Sequence, residues 1–482
     1  MKVSIFNYFI AVFVPFSLVY LQIDNGKNEG KNMFRKSFHL RVSLLLMITL
    51  IIVLGATQIS AIPAFARKYK TSCTTCHIAF SKRNLFGEAF RRNGYVMPLS
   101  DAQMVKEKPV SLGAEAWKEL WPDVVWPGSL PEAFPVAAVS IMRVNYNPEK
   151  SDQGNGFEFE MPLMFNFVFG GAFGEDVSLF GGWSAYSAGQ NAVGLQRLFF
   201  QFNSVAGTKN LINIRVGRFE PGITDGYTST QRLTSSYPIT FDYNASNPTT
   251  SQGGWRPRDF QSGIEVNGII KHNIYYAAGI VNGESKTIAD PTDQKDAYLR
   301  FAYNFEKYGF DGQRIDSASV GLNNINNSFM IGAYTYWGSR NKIPLNTIFY
   351  NNKFKRFGFD LTWNAESLGL LGGMIYGTDD NPNNELSELK NLAYFIEGNY
   401  SFYPWLIGVI RFEHASAWKS NADVDKFYNI IPNLTILYRA NIRFSVESTI
   451  RINEDKNVNS ISVPSTNEYP LQAIALNTSI AF

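Results

Sequence analysis

The sequence predicts a mainly β fold, an antiparallel β-barrel of about 16 strands preceded by a small α-helical segment. Three observations carry that prediction. The first is composition. Of 482 residues, 18% are charged and 15% aromatic, with 38 Phe and 24 Tyr, yet mean hydropathy is −0.13. Apolar residues are therefore dispersed among polar ones, whereas a helical polytopic membrane protein needs repeated apolar stretches of about 20 residues. The second is the texture from Val136 onward, where segments of roughly 10–13 residues alternate apolar and polar and break at Gly, Asn, Asp or Pro. The third is the alternation of connection lengths between these segments.

Taken in order, the predicted strands lie near 136–146, 157–168, 176–188, 194–204, 210–218, 260–270, 272–282, 296–306, 327–338, 354–364, 367–378, 390–402, 404–415, 427–438, 440–452 and 470–482. If the first strand runs outward, odd-to-even connections are external and long, and even-to-odd ones are tight periplasmic turns. Glu220–Asp259, Asn282–Lys295, Gly338–Lys353, Thr378–Glu388 and Asn453–Glu468 fit the external set. Lys271, Ala365-Glu366, Tyr403 and Arg439 fit the periplasmic set. Glu306–Ser328 is long on the wrong side, which implies a misplaced strand boundary. The last strand puts Ile474, Leu476, Thr478, Ile480 and Phe482 on one face, the terminal pattern of an outer-membrane β-barrel. Closure removes exposed sheet edges, as a bilayer demands and as a soluble all-β repeat protein need not.

Two apolar runs precede the barrel, Ile5–Ile23 and Val42–Ala61. The second reads as a secretory signal: Arg35, Lys36 and Arg41, a leucine-rich core, then small residues with cleavage after Ala61 or Ala66. Met33 begins that unit, so residues 1–32 read as an upstream extension, the competing reading being a membrane anchor at Ile5–Ile23. Without residues 1–61 the chain has 38 basic and 39 acidic residues. That balance excludes a polyanion binder, and no nucleic-acid partner is expected.

Both cysteines of the chain fall in Cys73-Thr74-Thr75-Cys76-His77. C-x-x-C-H is the attachment signature of haem c: two thiols add to the vinyl groups and the adjacent imidazole reaches the iron. Structural zinc would want four ligands, and no second cysteine pair or nearby histidine completes such a set. A thioredoxin-type disulfide would want a βαβ context, which is absent. One covalent haem c is expected, with Cys73, Cys76 and His77 as its attachment and axial residues. A helix is expected over Ala79–Asn93, stopped by Gly94, with Leu85, Phe86 and Phe90 on one side. Lys82, Arg83, Arg91 and Arg92 lie on the other, as a solvated face or as partners for haem propionates. For the sixth iron ligand the candidates are Met97, 20 residues beyond His77, and His272 at a periplasmic turn. His414 falls towards the outer surface and is the poorer choice. The expected organisation is thus 1–61 extension and signal, 62–100 monohaem segment, 101–135 linker or plug containing Trp117, Trp121 and Trp126, and 136–482 barrel. Residues 62–135 are the available filler for a lumen that would otherwise be aqueous.

Pro63-Ala64-Phe65-Ala66-Arg67, Cys73–His77, Phe86-Gly87 and Gly94-Tyr95 together resemble the outer-membrane monohaem cytochrome–porin fusions of iron-oxidising bacteria. The match spans about 35 residues at motif level and continues as architecture alone. Family members commonly carry proline soon after the haem histidine, where this chain has Phe80-Ser81. The resemblance implies an outer-membrane electron-transfer protein with ferrous iron or another extracellular donor and a periplasmic c-type cytochrome as acceptor. Two other classes fit the same sequence: a diffusion porin with a haem gate or redox sensor, and outward electron transfer to external acceptors. No hydrolytic triad or phosphate-cradling glycine loop emerges.

Overall fold

The structure is a computed structural model that describes residues 64–98, 101–106, 109–111, 129–131, 136–151, 154, 156–188, 193–242, 255–283, 294–306, 308–313, 327–342, 350–381, 388–419, 422–452 and 471–482. The extension and signal, 1–61, and the linker tryptophans lie outside the described residues.

Among the described residues, sixteen antiparallel strands close into one barrel. They are β1 Val136–Tyr146, β2 Phe157–Phe173, β3 Val177–Ser187, β4 Gly194–Phe202, β5 Asn213–Phe219, β6 Gln261–Ile270, β7 Ile274–Val281 and β8 Asp296–Asn304. The second half is β9 Ser328–Lys342, β10 Tyr350–Ala365, β11 Leu368–Asp379, β12 Leu389–Tyr403, β13 Leu406–Lys419, β14 Ala422–Arg439, β15 Ile442–Ile452 and β16 Leu471–Ala481. Each strand pairs with its sequence neighbours, and β16 returns to β1 with Ile480 opposite Ser140. No edge is left to template other chains.

The period-two pattern determines which residues face outward. On β8, Ala297, Leu299, Phe301 and Tyr303 point out while Asp296, Tyr298, Arg300 and Asn304 are buried inside. Phe173, Phe202, Tyr303, Phe402, Tyr403 and Tyr438 are exposed at the periplasmic ends of their strands. Such an aromatic girdle around an apolar band is what the interfacial zone of a membrane selects. Polar side chains facing a lumen and apolar ones facing out are the inverse of a soluble protein.

Three sequence expectations are corrected. The boundary near Glu306–Ser328 is sound: β8 ends at Asn304 and β9 starts at Ser328. The connection is long because Phe310 and Asp311 turn into the barrel mouth, where their carbonyls accept hydrogen bonds from Arg92 and Asn93. Glu220–Asp259 is the expected long odd-to-even connection, but it does not stay outside. Its described residues fold into the lumen, with Ile223, Tyr227, Leu233 and Phe241 all buried. Carboxylates on the far wall capture its backbone: Ser235 and Ser236 donate to Glu447 at 2.6 and 2.9 Å, and Ile239 donates to Glu413 at 3.0 Å. The predicted helix Ala79–Asn93 is shorter, with α1 at Ala64–Tyr69 and α2 at Leu85–Arg92. His77–Ala79 and Lys82–Arg83 instead form a two-stranded hairpin. Asn84 sets the late start, since its side chain accepts the Gly87 N–H at 2.8 Å and so caps α2. The helix ends at the Gly94 stop (φ 73°), with Tyr95 N–H donating back to the Phe90 carbonyl.

Candidate functional site

The 64–98 segment packs against barrel residues, with Tyr95 stacked on Phe180 and Lys82 beside Glu397, and every residue of α2 is buried. Ser72 caps a single 3-10 turn, Cys73–Thr75, which presents the two cysteines. Cys76 then closes that turn onto α2, its carbonyl accepting the Asn84 N–H at 3.0 Å. A Cβ on Gly87 would stand 2.1 Å from that same oxygen, so only glycine lets the helix pack this close to the motif. Arg67 ties the entry of the segment to the barrel rim by donating to the Val136 carbonyl at 3.1 Å.

The cations on and just before α2 correct a further expectation. Lys82, Arg83, Arg91 and Arg92 do not form a solvated face: Lys82 and Arg92 tie the segment to its surroundings, while Arg83 and Arg91 brace it internally. Lys82 is 3.6 Å from Glu397 of β12, and Arg92 pairs with Asp225 of the lumen loop. Arg83 and Arg91 clamp Glu88 at 2.6 and 2.7 Å. Their guanidiniums also stack on the Tyr227 ring, 5.1 and 4.8 Å from its centroid. Burial alone would push the Glu88 carboxyl up, but Arg83, Arg91 and Arg92 outweigh it and hold the group ionised, well below the usual carboxylate range. Truncating one member of a buried pair costs about 3–5 kcal/mol, because the partner charges stay buried. Glu88→Ala is therefore expected to loosen the segment, and limited proteolysis in detergent should cut within 64–98 where wild type resists. Equal resistance would show that the segment holds without the Glu88 pairs.

The motif residues match the requirements of haem attachment. Both cysteines are free rather than bridged. Burial raises the Cys73 thiol and pushes Cys76 up to about 12, with Cys73 beside it adding to the effect, so both are thiols at neutral pH. Burial and the neighbouring Arg83 lower His77 to about 4, against main-chain contacts from Lys82 and Ser81. The ring is then neutral, the form that ligates a metal. Its Nδ1 is buried with no hydrogen-bond partner among the described residues. Two reduced thiols and a neutral imidazole on one short turn are a donor set complete for haem c and incomplete for zinc.

The two candidates for the sixth ligand make different contacts. Met97 is buried in the cluster of Leu85, Phe86, Phe90 and Tyr95, against which Cys76 also packs. Its N–H donates to Asp101 at 2.9 Å, the carboxylate that also accepts Tyr69 Oη–H at 2.6 Å. His272 occupies the periplasmic turn after β6, its Nδ1 2.6 Å from Asp311. Asp311 receives Asn93 at the C-terminal end of α2, whereas Cys76 meets the N-terminal end. Met97 also follows the C-terminal end of α2, its neighbour Pro98 lying beside Gly312, and of the two candidates it is Met97 that belongs to the large apolar cluster against which Cys76 packs. His414 lies in β13 against Tyr394 and Tyr428, remote from this segment in the contacts it makes.

No protein-family model and no curated protein matches the sequence. Solved structures do. An anion-selective porin from Comamonas acidovorans aligns at TM-score 0.50 and 11% identity, over 73% of this chain and 99% of the porin. OmpT of Vibrio cholerae, in its in-vitro folded trimer form, aligns at 0.48 and 12% identity over 73% and 99%. Salmonella typhi OmpF aligns at 0.45 and 12% identity over 72% and 97%. The fold is that of an outer-membrane porin barrel. Asp225 and Tyr227, which pair with Arg92 and with Tyr95 Oη at 2.8 Å, were not singled out by sequence reasoning. The signal available for them was length: 40 residues without a strand pattern are uncommon in a compact domain unless they do something.

Proposed function

We propose that this chain is an outer-membrane monohaem c-type cytochrome, which takes electrons from an extracellular donor such as ferrous iron and delivers them to a periplasmic c-type cytochrome. The observation that carries the reading is the placement of Cys73, Cys76 and His77 on a segment tied to a porin-type barrel and its lumen loop by the buried pairs Lys82–Glu397 and Arg92–Asp225. A haem bound there supplies a single one-electron couple. The chain's own residues do the rest. His77 would offer the iron a neutral ring, and Met97 would be its second protein ligand. A thioether there raises the potential relative to bis-histidine ligation, which suits a weakly reducing donor.

The lumen loop meets the motif segment directly, since Tyr95 bonds Tyr227 and Ser81 donates to the Thr230 carbonyl at 3.2 Å. That contact favours a cytochrome over a free diffusion pore. A small donor entering from outside needs to travel only part of the membrane thickness, because the segment occupies the barrel rather than its periplasmic exterior. The test is the absorbance spectrum of the air-oxidised, detergent-purified protein before and after anaerobic addition of ferrous iron. Rapid appearance of reduced haem bands is the expected result. Bands that appear with dithionite but never with ferrous iron would remove that donor and favour outward flow. No haem absorbance at all would leave a porin fold with a plug and overturn the reading.

A further inference from the structure

The cations beside the motif are each matched by a protein carboxylate, with Nη2 of Arg83 and Nε of Arg92 left over. Unmatched donors gather instead on the barrel wall. Arg443 stands opposite Ser479 and Ser445 opposite Asn477 across β15 and β16, and Asn477 stands opposite Arg143 of β1. Directly opposed residues share a face, and here it is the lumen face. Arg443, Ser445, Asn477 and Ser479 are 7%, 4%, 5% and 3% exposed. Arg443 Nε, Ser445 Oγ, Asn477 Nδ2 and Ser479 Oγ have no partner among the described residues. Arg232 of the lumen loop adds another buried Nε without a partner, close enough to interact electrostatically with Arg443 and Arg143.

The carboxylates at hand do not answer these donors. Glu447 is committed to Ser235 N, Ser236 N, Ser236 Oγ and Asn433 Nδ2. Glu160 lies 3.7 Å from Arg143 Nη1 and serves that cation. Apart from Glu160 Oε2, every group left over can donate, and two of them are guanidiniums. Such a set calls for a planar anionic acceptor with several lone pairs, which is a carboxylate.

The patch borders the motif. Leu437 stands opposite Arg443, and with Leu233 it packs in the cluster of Ile78 and Ala79, the residues directly after His77. Arg443 Nη1 itself donates to the Leu233 carbonyl at 3.3 Å. We infer that Arg443, Ser445, Asn477, Ser479 and Arg232 form a carboxylate-binding site for the haem propionates. This inference rests on the haem reading above.

The test is a spectroelectrochemical titration of the full-length protein, wild type against Arg443→Gln and Arg443→Lys, with haem per polypeptide and heat-modifiable gel mobility confirming attachment and folding. Arg443→Gln is expected to keep its haem but move the reduction equilibrium about tenfold towards the oxidised form, about 59 mV for one electron. Arg443→Lys should stay near wild type. A second readout is broadening of the carboxyl resonance of 13C-acetate by the same proteins. Full haem content with no shift in potential and no acetate binding lost in Arg443→Gln overturns the site. An unmoved potential with Arg443-dependent acetate binding keeps the carboxylate site but overturns propionate as its occupant. Wild type without haem defeats the proposed function instead, and the acetate measurement alone then decides the site.

Discussion

Protein carrying Cys73→Ser and Cys76→Ser is expected to reach the membrane as a closed barrel with no covalent haem at all. These are the two cysteines of the chain, so a haem-peroxidase stain on a denaturing gel should fall from one per polypeptide to background. The barrel should survive because its ladder runs strand to strand from β1 to β16 and uses no residue of the motif. Local order should survive as well: the turn depends on the Ser72 cap and on the Cys76 carbonyl, both kept by the substitution. Heat-modifiable mobility would report the barrel, and the stain would report the cofactor. Persistent stain in the double variant would show that the motif is not the attachment point. Simultaneous loss of barrel and stain would show that the segment is needed for folding.

Removal of residues 64–98 should convert a poorly conducting protein into an open pore. A 16-stranded barrel leaves an aqueous channel unless something fills it, and the expected gain in single-channel conductance is at least about tenfold. The filler here is bound by charge as well as shape. Its loss exposes Glu397, Asp225, Asn210 and Asn203 to water, where in the intact chain they face Lys82, Arg92, Asn93 and Gly94. Planar bilayers measure the result directly. Equal conductance before and after the deletion would mean that the lumen loop alone closes the pore, and that the motif segment has no share in it.

How much of this was legible in the sequence follows from the range of each interaction. Strand alternation is local, so β1 at Val136–Tyr146 and β15 near its expected limits could be read from the residues themselves. Motif spacing is local too, which is why Cys73, Cys76 and His77 stand out. The charged side of α2 was read as solvated because its partners are remote: Asp225 lies 133 residues beyond Arg92, and Glu397 lies on β12. The inward fold of the loop after β5 depends on Glu447, more than 200 residues further along. The long connection at Glu306–Ser328 looked anomalous for the same reason, since its purpose is to meet Arg92 and Asn93. Helix onset at Leu85 rather than Ala79 turned on one cap, Asn84, whose role a periodic pattern does not reveal.

The last β-ladder to be considered, β16 against β1, bears on biogenesis. Once that ladder zips, the ring has no lateral opening, and Cys76, His77 and α2 sit behind a continuous wall. A group joined to Cys73 or Cys76 after closure would have to arrive through a mouth of the barrel, since no gap in the wall remains. Closure of β16 on β1 thus turns a question of attachment into one of access along the barrel axis.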